Sequence, residues 1–257
     1  MDRNTGNTGS VEVDVDSSDV GSSNAIQKKG RGPGRGPMVI DVEPLKLLSV
    51  KVTLVGETPL LMNNFNQRGV GLTEMRNRML GIPAPKKTNR APKDPVRSFR
   101  DALYALSAIP KTKGTMKDWL AGKKVTAYGK FFIPFSMLKG CIETAATDVD
   151  GASKAGVKRA VRIVETWAEL KHKAPPYMVE HVVRLPNGAP DLRYRAQFDD
   201  WEVTFTTQMN SAVLSVPKLV NLFNVAGFAA GLGDWRPEKG GEFGRFHVKG
   251  GRSHTGE

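Results

Sequence analysis

The sequence predicts an α+β fold, and three observations carry that expectation. Leu48, Val50, Val52 and Leu54 alternate with Ser49, Lys51 and Thr53, the period of two that marks a half-buried strand. Two stretches, 136–145 and 215–230, place apolar residues on one helical face. Between them, runs rich in Val, Tyr, Phe and Trp are separated by an Asn187-Gly188 turn and an Asp199-Asp200 turn, which reads as a series of hairpin-connected strands.

Taken in order, residues 1–45 are expected to form a disordered tail, because Gly, Ser, Asn, Thr and Asp dominate and large apolar residues are scarce. Its first half is acidic; its second carries Lys28, Lys29, Arg31 and Arg35 in a Gly/Arg-rich stretch. Such a stretch holds nucleic acid loosely or serves as a plain leader. The first strand starts at Leu47 and ends at Gly56, and Thr58-Pro59-Leu60-Leu61-Met62-Asn63 leads away from it. Residues 64–93 then carry Arg68, Arg76, Arg78, Lys86, Lys87, Arg90 and Lys93 against Glu74 alone, with Pro83, Pro85 and Pro92 breaking any long helix. The expectation is an extended basic arm with one helical turn around Glu74 to Leu80. A charge run is commonly a solvated loop, but one of nearly one sign repels itself until an anion arrives.

Asp94 is placed to cap a helix over 95–107, with Pro95 in its first turn and Val96, Phe99, Leu103 and Leu106 inward. A short connection containing Trp119 leads to a strand at Phe131–Pro134. Ser136 then opens a helix that points Met137, Leu138, Cys141, Ile142 and Ala145 inward. Residues 151–162 are basic through Lys154, Lys158, Arg159 and Arg162 and read as a loop or a poor helix. Strands follow at 161–170, 177–185, 192–198 and 201–209. Ser215 caps a last helix with Leu219, Val220, Leu222, Phe223, Ala226 and Ala230 buried, Gly231 ends it, and Phe243–Val248 is the final strand. Residues 250–257 form a flexible end.

The chain has 257 residues and a formal net charge of +12, which points to a polyanionic partner, nucleic acid or an anionic membrane surface. With one cysteine, Cys141, there is no internal disulfide; this, the lack of a long apolar run and the lack of a cleavable signal pattern lead to an expectation of a cytoplasmic location with no membrane partner. The histidines, His172, His181, His247 and His254, have no paired spacing, so no metal or cofactor is expected. Cys141 lies on the apolar side of its helix and reads as a packed thiol. No phosphate loop is present, and the Gly231-Leu232-Gly233 string follows a helix, which removes the dinucleotide reading.

What remains is chemistry for an unpaired strand. Gly231 to Phe246, GLGDWRPEKGGEFGRF, gathers five glycines with Trp235, Arg236, Lys239, Phe243 and Arg245. Glycines let main-chain N–H groups approach phosphates, arginine binds them through paired hydrogen bonds, and aromatic rings stack on bases. Asp234 is expected to hold Arg236 or Arg245. The alternative is a glycine-rich connection with Trp235 tucked into the core.

Three segments, LVGETPLLMN (54–63), IPFSMLKGCIE (133–143) and the glycine-rich string at 231–246, together resemble the RAMP superfamily, the RNA-binding backbone and processing subunits of CRISPR effector complexes. Pro134, Ser136, Leu138, Lys139 and Gly140 fit its helix-opening turn, and Gly231, Gly233, Gly240, Gly241 and Gly244 its glycine-rich loop. The strings LRYRAQFDDW and GDWRPEKGGEFGRF are similar to phage and prophage proteins. The resemblance implies a ferredoxin-like (RRM-like) βαββαβ core over 46–249, elaborated by the basic arm and a long hairpin around Asn187. It implies a non-catalytic binder of single-stranded RNA or DNA that assembles side by side along the strand in a bacterial host. No aspartate or histidine lies between Thr58 and Lys93, where the superfamily's cleaving and processing members carry theirs. The binding residues so implied are Phe65, Arg68, Arg76, Arg78, Lys86, Lys87, Arg90, Lys93, Lys139, Lys158, Arg159, Arg162, Trp235, Arg236, Lys239 and Arg245, with no catalytic or metal residue. A guide-processing ribonuclease of the same fold and a virion scaffold protein are the competing readings.

Overall fold

Two ten-residue strands form the spine. β1 (Leu47–Gly56) runs antiparallel to β10 (Trp201–Asn210), in register from Leu47 opposite Asn210 to Val55 opposite Glu202. Because side chains alternate, Val52, Leu54, Val203 and Phe205 enter the core while Ser49, Lys51, Thr204 and Gln208 face the other way. The computed structural model describes residues 45–64, 76–83, 94–106, 109–184 and 187–250. The tail at 1–44, most of the basic arm and residues 251–257 lie outside them.

The other elements, in chain order, are β2 (Leu60–Met62), α1 (Pro95–Asp101), β3 (Lys111–Lys113), α2 (Met116–Leu120), β4 (Thr126–Tyr128), β5 (Phe131–Pro134), α3 (Phe135–Ala145), α4 (Lys154–Ala160), β6 (Val161–Ile163), β7 (Trp167–His172), β8 (Tyr177–Arg184), β9 (Pro190–Phe198), α5 (Val216–Val225) and β11 (Phe246–Val248). One antiparallel sheet has the order β11-β1-β10-β7-β5, with β6 also on β10. Reading β1, α3, β6/β7, β10, α5 and β11 as the βαββαβ unit, its strands lie in the order fourth, first, third, second. That is the ferredoxin-like arrangement, extended at one edge by β5. A second sheet, β2-β9-β8-β4-β3, is built from the two insertions.

Helices α3 and α5 cover one face of the first sheet, burying Leu138, Cys141, Ile142, Ala145, Leu219, Leu222 and Phe223 against it. No described helix is long and apolar enough to cross a membrane.

Several local expectations are corrected. The first helix stops at Asp101 rather than 107, and Leu106 is exposed. Its would-be last turn is diverted: the Ala102 carbonyl accepts from the Asn64 N–H (2.8 Å) and the Tyr104 carbonyl from the Phe132 N–H (3.0 Å). Asp94 does cap it, accepting from the Arg97 N–H at 3.1 Å. Neither Ser136 nor Ser215 caps by side chain; α3 starts one residue earlier, and the Phe135 N–H donates to the Thr166 carbonyl (3.0 Å). The strand expected over 161–170 breaks into β6 and β7 because the Glu165 carboxylate replaces the ladder, accepting from the Thr206 N–H at 2.7 and 2.9 Å. Residues 111–128 contain β3, α2 and β4, with a Thr115/Asp118 capping box on α2. The final strand begins at Phe246, not Phe243.

Candidate nucleic-acid interface

The face of the first sheet turned away from α3 and α5 carries Trp167, packed by Tyr104 (ring centroids 5.9 Å), at its β7 edge. Its middle is polar: the Thr53 and Thr204 hydroxyls pair at 2.9 Å, flanked by Lys51, Thr206 and Gln208. Toward the start of β1 this face closes into a groove lined by Leu45, Leu47, Arg159, Ala160, Arg162, Gln208 and Asn210.

Local sequence explains how the two arginines arrive there. Ser153 caps α4, its side chain accepting from the Gly156 N–H at 3.0 Å, and Val157 anchors the helix in the core. Lys158 and Arg159 fall in the last turn, where the helix dipole favours cations. The chain then enters β6 directly. With Val161 and Ile163 buried, the period of two turns Arg162 outward beside Gln208. Lys139 of α3 ties back to α4, its Nζ donating to the Lys158 carbonyl at 3.3 Å, but neither lysine lines the groove. Among the described residues none of Lys139, Lys158, Arg159 and Arg162 is ion-paired. The Asn210 Oδ1 accepts from the Ala212 N–H (3.1 Å), which leaves its amide NH2 as the donor side of the group. Cations, amide donors and two exposed leucines fit phosphates, base-edge acceptors and apolar ring surface respectively.

The glycine-rich stretch has a different character. Its main chain is knitted to the protein's own backbone: the Asp234 N–H donates to the Leu61 carbonyl (2.8 Å), Gly244 N–H to Pro59 (2.8 Å) and Leu232 N–H to Gly244 (2.9 Å). A Cβ on Gly244 would run into the Leu232 carbonyl, and one on Gly241 into the Trp235 carbonyl. Those glycines therefore serve close packing within the chain rather than close approach to a ligand. Two of its cations are also engaged, Arg236 with Glu238 (2.7 Å) and Lys239 with the same carboxylate group (3.2 Å), whereas Arg245 has Glu57 and Glu242 at 4.0 and 3.6 Å.

Asp234 holds neither Arg236 nor Arg245. It binds Arg195 of β9 at 2.5 Å, accepts from Asn63 Nδ2 at 3.1 Å and from the Trp235 N–H at 3.1 Å. The stretch thus lies on the outer face of the second sheet, over Leu61, Arg195 and His181. Asn63 is one residue from the last described position before the arm, so the arm's base and this stretch adjoin. Trp235 is not tucked into the core; it is 38% exposed in a left-handed backbone conformation (φ 53°). It stacks on Phe243 (6.1 Å, 25°), and His181 stands edge-on to both rings.

Burial, then the neighbouring Arg195 guanidinium, lower the His181 pKa below 6.5 against the opposing pull of Asp234. A histidine with a lowered folded-state pKa stabilises the fold fully above its unfolded pKa, about 6.5, and loses that contribution as pH falls from there through the lower folded-state value. The thermal midpoint should therefore drop on acidification from pH 7.5 to 5.5, and the drop should be smaller in His181→Gln, measured by circular dichroism. Equal drops in the two proteins would remove His181 as the cause.

Of the remaining expected binding residues, Arg76 and Arg78 are exposed, on or beside a helical stretch at 76–79. Phe65, Arg68, Lys86, Lys87, Arg90 and Lys93 lie outside the described residues. Sequence reasoning missed Arg195, His181, Gln208 and Asn210. Cys141 is a packed thiol: its Sγ donates to the Gly231 carbonyl at 3.2 Å, and burial pushes its pKa up to about 12. Among the described residues no three His, Cys, Asp or Glu side chains gather as a metal site would need.

The fold and groove together define the class: an α+β protein on a ferredoxin-like core with a basic, donor-rich groove on its open sheet face. No protein-family model matches the chain, and no curated protein matches it. Among solved structures, it is similar to a chain of the Type III-B Cmr-beta bound to cognate target RNA, at 13% identity and a TM-score of 0.41. That likeness covers 79% of this chain and 59% of the other. At this level it assigns neither family nor activity.

Proposed function

We propose that this protein binds single-stranded nucleic acid, RNA or DNA, without cleaving it. The observation that carries the reading is the open-face groove, in which Arg159 and Arg162 stand beside two amide side chains and two leucines with no described carboxylate paired to either arginine. The basic arm and the formal charge of +12 add to the same side of the argument. Kinship with the RAMP superfamily, a phage or mobile-element origin and side-by-side assembly along the strand belong to this proposal. The sequence motifs support them.

The test is a fluorescence-anisotropy titration of labelled 20-mers of RNA and DNA at several salt concentrations. Neutralising several phosphates should lower affinity by about a hundredfold or more between 50 and 200 mM salt. Binding that ignores salt, or no binding, ends the proposal. Denaturing gels of the same mixtures should show intact RNA; cleavage products would favour a guide-processing ribonuclease. Electron microscopy should show filaments only when a strand is present, whereas assemblies formed without one would favour a scaffold protein.

A further inference from the structure

Phe228 is left unexplained by the groove. It lies on a π turn (Ala226–Ala230) that prolongs α5, a form found often at functional positions. Ala226 and Ala230 point into the core, and Phe228 is thrown outward, 69% exposed. The turn is closely packed: a Cβ on Gly227 would strike the Phe246 carbonyl, so the backbone there lies flush against β11. A large aromatic ring is thus displayed in water on a closely packed mount. The sequence pattern names Ala226 and Ala230 as the buried stripe and passes over this ring.

One face of the ring is met by Arg245, whose guanidinium carbon is 5.0 Å from the ring centroid, within cation–π range. The backbone of Arg245 is pinned, its N–H donating to Thr58 Oγ1 (3.0 Å) and its carbonyl accepting from the Glu57 N–H (2.8 Å). Its side chain is not so well served. The two carboxylates that face it, Glu57 at 4.0 Å and Glu242 at 3.6 Å, are beyond hydrogen-bond distance, and its buried Nε has no partner. Glu242 is 82% exposed and free to swing into solvent. A guanidinium steered by charge, with its Nε unpartnered and its carboxylates no nearer than 3.6 Å, beside an open aromatic face, matches the two halves of a nucleotide.

We propose that Phe228 and Arg245 form a subsite for one nucleotide of an unpaired strand, the base stacking on the exposed face of the ring and the phosphodiester accepting from the guanidinium. This rests on the nucleic-acid reading above and adds to it a position outside the groove. The pair is held by two different elements, the π turn and the segment entering β11, so nucleotide capture here needs no rearrangement of the core.

The test uses the full chain and a labelled single-stranded 20-mer. Phe228→Ala should weaken binding about tenfold or more, as loss of one base-stacking ring does, while Phe228→Trp should stay within about threefold of wild type. Arg245→Gln should reduce the slope of log affinity against log salt by about one. Melting curves for each variant guard against unfolding, which is not expected at so exposed a side chain. Phe228→Ala binding as wild type does, while Arg159→Ala/Arg162→Ala is weakened, would overturn the subsite and leave the groove standing. A wild-type protein that binds no strand would overturn both. Self-association without nucleic acid that Phe228→Ala abolishes would identify the ring as a protein contact and likewise overturn the subsite.

Discussion

Asp234→Ala should destabilise the protein by about 3 kcal/mol, the lower end of the cost of removing one partner from a buried ion pair. The Arg195 side chain is 8% exposed and Asp234 31%, so the substitution strands a guanidinium in a place water scarcely reaches. Arg195 Nη1 already lacks a partner, and removing Asp234 would take away its Nε acceptor as well. The same substitution releases Asn63 Nδ2 and the Trp235 N–H, loosening the tie between the arm's base, the second sheet and the glycine-rich stretch. Urea unfolding followed by tryptophan fluorescence measures the loss. The double variant Arg195→Met/Asp234→Ala should recover much of it, because no charge is then left buried. If Asp234→Ala unfolds at the wild-type urea midpoint, the pair does not clamp the glycine-rich stretch to the second sheet.

That ion pair also shows where reading the sequence stops. In β9 the alternation of Leu192, Tyr194, Ala196 and Phe198 with Arg193, Arg195 and Gln197 reads as one buried and one solvated face, and Ala196 and Phe198 do enter the core. Arg195 lies on the other face, which would be wet if the hairpin stood alone. It is buried because a segment thirty-odd residues later folds over it, and nothing within the strand announces that. The glycines of 231–244 were legible as a place of close approach, but not as to what approaches; the answer is the carbonyls of Leu232 and Trp235. Likewise Arg236 and Arg245 read as free cations because the acids facing them, Glu238 and Glu57, carry no mark of it in sequence.

By contrast β1, α3 and α5 were plain, since each writes its own period over seven or more residues. Three-residue strands such as β3 and β4 cannot do so; they exist through pairing, Lys111 to Lys113 against Thr126 to Tyr128. The groove falls between these cases. Arg159 and Arg162 stood out as charges, yet only the register that sets Arg162 opposite Gln208, and Leu47 opposite Asn210, makes them walls of one concavity.

Replacing both groove arginines, Arg159→Ala/Arg162→Ala, should therefore have the largest effect on binding of any two exposed substitutions outside the arm. Each arginine that contacts a phosphate contributes close to one unit to the slope of log affinity against log salt, so the double variant should lose about two units. Its affinity for a labelled single strand should fall by about a hundredfold at the lower salt concentrations, and the gap from wild type should narrow as salt rises, since screening removes the same term from both proteins. Both side chains are exposed and neither is ion-paired to a described carboxylate, so the thermal midpoint should shift little. Gln208→Ala offers the complementary control: an amide that meets base edges carries no counterion term, and its loss should weaken binding without changing the slope. A double variant with the wild-type slope would place the strand elsewhere on the protein, and the open sheet face would lose its claim to it.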